Sequence, residues 1–197
     1  MHLPYVQNPP EFKDAQDQTI VERLKQRRGD AGLLELDLTL LHAPPVADGW
    51  NSFLGAIRTK TTLSTSIRET AICRIAVLNK AWFEWDHHAP LLKVCPGMNE
   101  EQIASIVNSP PHEFIGSAID EQHRAVMAYT DAMTLDVCVP DIVFERLKNS
   151  FGEREVVEIT ATIAAYNCVS RFLVALDVGE RNEQSGPRAV QATGVGK

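Results

Sequence analysis

The reactive side chains of this chain concentrate in one pentapeptide, Glu84-Trp85-Asp86-His87-His88. On a helix each residue turns by about 100°, so Glu84 and His88 lie about 40° apart on one face, one turn from each other. Glu84 and His87 also share a side. A carboxylate beside an imidazole raises the imidazole pKa and lets the ring carry protons near neutral pH. General acid–base work of that kind is worth about 10²–10⁴ in rate. A second carboxylate, Glu69, stands next to Arg68 among Ile67, Thr70, Ala71 and Ile72. On so apolar a face it needs a partner or stays protonated, and both states serve a proton relay. Plainer readings compete. A solvated Glu/His pair at this spacing stabilises a helix by only about 0.2–0.5 kcal/mol. A metal would draw on His87, His88, Glu84 and Asp86, but adjacent histidines diverge by about 100° and the HExxH zinc pattern is absent, so no metal is expected. Trp82, Phe83 and Trp85 read as core or pocket wall.

The elements that must position these residues are helical. Ser64 opens a segment that runs through Ile72, Ile75 and Leu78, with Asn79-Lys80 as a joint. A helix from Trp82 to Val94 follows and stops at Cys95-Pro96-Gly97. Ile20, Val21 and Leu24 mark an amphipathic helix ended by Gly29; Leu33–Leu41 and Val46–Ile57 follow on either side of Pro44-Pro45. Asn99 with Gln102 has the spacing of a capping box for a short helix through Val107. Further helices are predicted over Asp120–Met133, Asp141–Phe151 and Val156–Val178, the last the most apolar. No hairpin signal and no internal repeat appear, so the fold class is all-α. Residues 1–14, with three prolines, read as an irregular arm; 15–179 form a single helical domain; 180–197, small and polar, read as a disordered tail.

Composition narrows the partners. The chain has 197 residues, 44% of them hydrophobic, and a formal net charge of −7, which argues against nucleic acid or an anionic membrane as the main partner. No unbroken apolar run reaches membrane-spanning length, and the N-terminus lacks the basic-then-apolar order of a signal peptide. Cys73, Cys95, Cys138 and Cys168 include no CxxC pair and read as reduced thiols, so a cytoplasmic location is expected.

Taken together, Ser64-x-x-x-Arg68-Glu69, the Glu84–His88 pentapeptide, and Ala164-Ala165-Tyr166-Asn167 with Arg171 resemble the carboxymuconolactone decarboxylase family, which includes the AhpD-like alkylhydroperoxidases. The similarity runs from about Leu33 to Val178. It implies an AhpD-like helical bundle that forms homo-oligomers, often trimers or hexamers. In the peroxidase branch a glutamate precedes a CxxC, with a histidine four residues after the second cysteine. Glu69 and His88 match the outer positions, but Ala81 and Glu84 stand where the cysteines would be, and thiol chemistry needs a thiolate. The decarboxylase branch has a glutamate four residues before the histidine, which Glu84 and His88 match.

The resemblance therefore implies a cofactor-independent lyase, decarboxylating a small unsaturated lactone or carboxylic acid that holds the carbanion as a dienolate. His88 is expected to donate the proton or stabilise the oxyanion, Glu84 to set its tautomer and charge, and Glu69 to complete the relay. Trp85, His87 and Asn167 are expected to bind substrate, although Asn167 also suits an amide bridging two helices. Trp50 either packs between helices, the preferred reading, or lies over the pocket. The competing functions are a cyclase, isomerase or dehydratase using the same pair, a thiol peroxidase, and a non-catalytic binding protein on the same fold.

Overall fold

The computed structural model describes residues 1–113, 119–184 and 186. Among these residues the chain is all-helical: α1 (Ala15–Arg28), α2 (Glu35–Leu40), α3 (Pro44–Thr59), α4 (Thr65–Leu78), α5 (Trp82–Lys93), α6 (Glu100–Asn108), α7 (Glu121–Asp131), α8 (Asp141–Ser150) and α9 (Glu153–Leu176). Local chemistry sets most of the boundaries. Asp14 caps α1 by accepting from the Gln16 and Asp17 amides. The Ser64 hydroxyl accepts from the Ile67 amide at the start of α4. Asn99 and Gln102 form a reciprocal capping box at 3.0 and 2.7 Å. The proline pair stands at the first positions of α3, where a missing N–H costs nothing.

Three apolar clusters build the interior. The largest joins α3, α4, α7, α8 and α9 through Ile72, Ile75, Val126, Leu147 and Ile163. A second lies where α4, α5 and α6 meet, around Cys73, Trp85, Leu92, Ile106 and Met127. The third holds α1 and α2 against α3 through Ile20, Val21, Leu24 and Leu41. By length and composition alone α9 is long and apolar enough to cross a membrane. The polar residues that break its apolar run hid this from the sequence. Its Ile159, Ile163, Tyr166, Val169 and Leu173 are buried in the largest cluster.

α7 departs from expectation at its end. The predicted helix to Met133 gives way after Asp131 to a π-helical turn over Ala132–Asp136. Asn167 on α9 donates to the Thr134 hydroxyl at 2.9 Å, and Val137 then takes a positive φ of 65°. This tertiary bond has no counterpart in local periodicity. Arg74 and Asp131 form a fully buried bidentate pair at 2.7 and 2.8 Å, and Arg74 also donates to the Ile106 and Ser109 carbonyls.

Residues 1–14 form no helix and pack on the bundle: the His2 amide donates to the Leu176 carbonyl and the Val6 amide to that of Leu38. The expected disordered tail, 180–197, lies mainly outside the described residues. Its described start is docked, with Tyr5 donating to Glu180 at 3.1 Å and a buried Arg181 2.6 Å from Asp86.

Candidate functional site

α4 and α5 are antiparallel neighbours joined by a tight turn, in which Lys80 has a φ of 55° and the Ala81 amide donates to the Ala76 carbonyl. This hairpin of helices brings Glu69 beside the pentapeptide. The Glu69 carboxylate and the His88 Nδ1 are 2.6 Å apart, both buried, and Arg68 Nε donates to the other Glu69 oxygen at 3.3 Å. Burial works against a Glu69 anion. The His88 hydrogen bond and the nearby Arg58 and Arg68 charges outweigh it and hold its pKa below the usual carboxylate value. Burial is also the largest influence on His88 and lowers its pKa, although Glu69 pulls the other way. The consistent state is a Glu69 carboxylate accepting from a neutral imidazole's Nδ1–H, which leaves Nε2 as the basic edge of a ring that lines a cavity.

Glu84 behaves differently from its expected role. It is 2% exposed, neither carboxyl oxygen has a hydrogen-bond partner among the described residues, and it lines the same cavity. Burial alone pushes its pKa well above the carboxylate range, so the neutral acid is its resting form. The residue that sets the His88 tautomer is therefore Glu69, and the expected rise in the imidazole pKa is reversed by desolvation. The physical reason is direction: two side chains a turn apart share a face without facing each other, whereas a side chain from a neighbouring helix meets the ring edge-on.

The cavity has a volume of about 120 Å³ and lies between α1–α3 on one side and α5 and α9 on the other. Leu54, Phe83, Tyr166 and Leu173 make an apolar wall, and the Tyr166 and His88 rings meet edge-to-face at 5.0 Å. Burial raises the Tyr166 phenol pKa, which keeps it protonated. Trp50 lines the cavity and also packs against Phe172 at 5.2 Å, so it does both things weighed for it. His87 lines the cavity too; its Nδ1–H donates to the Phe83 carbonyl at 2.8 Å.

Two of the sequence-predicted binding residues lie elsewhere. Trp85, turned away from Glu84 by one residue's rotation, is buried in the cluster under α6 and does not line the cavity. Asn167 spends its amide on Asn79, Thr134, the Ile163 carbonyl and Arg171, bridging helices. Sequence reasoning missed Arg27, Arg28 and Arg58, which line the cavity. Their only signal was basic residues in the last turns of α1 and α3, which complement the helix dipole anyway.

No family model matches the chain, and no curated protein matches it. Solved structures do. An alkylhydroperoxidase AhpD core, an uncharacterized peroxidase-related protein from Ralstonia eutropha, aligns with a TM-score of 0.69 at 16% identity, over 92% of this chain and 94% of that one. The chain has the AhpD-like fold. An uncharacterized peroxidase-related protein from Silicibacter sp. aligns with a TM-score of 0.68 at 15% identity, covering 92% of this chain and 95% of its own. The debrominase Bmp8 aligns with a TM-score of 0.67 at 18% identity, covering 88% of this chain and 89% of its own. At these identities the likeness establishes the AhpD-like architecture and leaves the chemistry to the residues.

Proposed function

We propose that this chain is a cofactor-free lyase that decarboxylates a small unsaturated lactone or carboxylic acid by Glu/His acid–base catalysis. One observation carries the reading: a single cavity holds a neutral imidazole oriented by Glu69 and a buried carboxylic acid, Glu84, with no hydrogen-bond partner among the described residues. A pair of titratable groups driven to complementary states is the signature of divided acid and base roles.

The step balances without a coenzyme. The bond from carbon to the departing carboxylate breaks, its electron pair passes into the conjugated carbonyl as a dienolate, and CO2 leaves. The Glu84 O–H donates to the developing enolate oxygen and then supplies the proton that returns to carbon. His88 Nε2 is the base through which a solvent proton resets the site. The apolar wall keeps the local dielectric low, which strengthens both interactions where charge develops.

The sulfur chemistry of the peroxidase branch finds no nucleophile at this cavity. None of the four cysteines lines it, and Cys73, buried on α4, has its thiol pKa raised by burial. The fold is compatible with small ring ligands, since a structure of Bmp8 holds 2,3,4-tribromopyrrole.

The test is CO2 release from a panel of unsaturated lactones and acids by the wild type and by Glu69→Gln, Glu84→Gln and His88→Gln. Each variant is expected to lose about 10²–10⁴ in rate with its helical content unchanged. Wild-type turnover by all three folded variants defeats the assignment.

A further inference from the structure

The chain carries a formal net charge of −7, yet three of its arginines gather on one wall of the cavity. Arg27 and Arg28 come from the last turn of α1, and Arg58 from that of α3. Arg28 is spoken for by Asp37, in a bidentate pair at 2.7 Å on both arms. Arg27 and Arg58 make no ion pair or side-chain hydrogen bond among the described residues, and Arg27 Nε is buried with no partner. Burial and the neighbouring Arg28 and Arg58 charges depress the Arg27 pKa, with Asp37 a partial offset. Arg27 and Arg58 are half-buried, and like charges held this close and partly desolvated gain from an anionic ligand between them. The same residues also line a second cavity of about 300 Å³. They thus stand on the wall shared by that cavity and the one that holds His88 and Glu84.

We infer that Arg27 and Arg58 form a carboxylate-binding cradle that holds the anionic end of an unsaturated or aromatic acid, while its carbon skeleton lies between Trp50, Leu54, Phe83 and Tyr166. The guanidinium fork matches a planar carboxylate bidentately, and the apolar wall opposite matches a flat, unsaturated body. Arg28, neutralised by Asp37, holds the end of α1 against α2 and contributes less to the ligand. The inference rests on the proposed acid–base site only in placing the ligand there; the binding itself needs no turnover.

Isothermal titration calorimetry with benzoate, benzamide and inorganic phosphate as probes tests the cradle on the full chain. Benzoate is expected to bind the wild type, benzamide and phosphate to bind at least tenfold more weakly, and the benzoate affinity to fall at high salt. Arg27→Gln and Arg58→Gln are each expected to weaken benzoate binding at least tenfold, with Arg58→Lys intermediate because it keeps charge and loses the fork. Lys148→Gln, on an exposed position of α8 outside both cavities, is expected to keep benzoate affinity. Equal affinity for benzamide, equal affinity for phosphate, no benzoate binding, or unchanged affinity in both folded arginine variants overturns the proposal. Because benzoate is inert, a failed binding test with CO2 release intact sinks the cradle alone. Benzoate binding without turnover of any acid or lactone sinks the lyase reading alone.

Discussion

Burial drives Glu84 and His88 to the same charge state by opposite shifts: the acid's pKa rises and the imidazole's falls. Both rest neutral, one with a proton to give and one with a lone pair to receive it. Turnover should therefore rise with pH through a value below the ordinary 6.5 of histidine, as His88 loses its proton. It should fall again when Glu84 ionises, and a rate profile in Glu84→Gln should lack that alkaline limb. Stability provides an independent check. The folded-state pKa of Glu84 lies above its unfolded value near 4.5. Its contribution is thus complete below that value and is lost as pH rises toward the folded pKa, at about 1.4 kcal/mol per pH unit within the window. Glu84→Gln removes this slope, so denaturant unfolding at several pH values should show the variant gaining on the wild type as pH increases. A constant difference across pH contradicts a buried neutral Glu84.

At the level of elements, the wall of the site depends on how the end of α9 meets α5. Gly179 has a φ of +74°, and a Cβ there would run into the Phe83 ring. Phe83 in turn lines the cavity and stacks on His87 with ring centroids 4.3 Å apart. Gly179→Ala should therefore cost about 1–3 kcal/mol from backbone strain and overpacking, read as a lowered unfolding midpoint. It should also shift Phe83 and weaken benzoate binding, whereas a substitution at the solvent-facing Gly97 should leave that affinity unchanged. The docking of residues 180–182, through Tyr5 and Asp86, holds this corner from the other side.

For the whole molecule, the buried Arg74–Asp131 pair ties α4, the end of α6 and α7 together, and neither residue lines the cavity. Asp131→Asn leaves a guanidinium buried without its counter-ion and should destabilise by about 3–5 kcal/mol, with benzoate affinity of the folded fraction unchanged. Calorimetric unfolding measures the first and titration the second. Val137, Ile142 and Val157 are exposed to 82%, 80% and 67%. A homo-oligomer, which the family resemblance implies, would give such side chains a place to be buried. A native mass of a trimer or hexamer is the expected outcome, and a monomeric mass at micromolar concentration counts against it.

Periodicity, caps and stops are local, so the sequence by itself determined the helices, the capping box at Asn99 and the pairing of chemical types in Glu69, Glu84 and His88. What a side chain faces is decided by neighbours distant in the chain, so only the tertiary structure could assign their roles. It took the orienting task from Glu84 and gave it to Glu69, because α4 and α5 fold back on each other. It sent Trp85 into the core and Asn167 into a bridge between helices, since one residue's rotation or one hydrogen-bond partner separates a pocket wall from packing. It also brought Arg27, Arg28 and Arg58, distant in the chain, onto one wall of the cavity, because the ends of α1 and α3 both reach it.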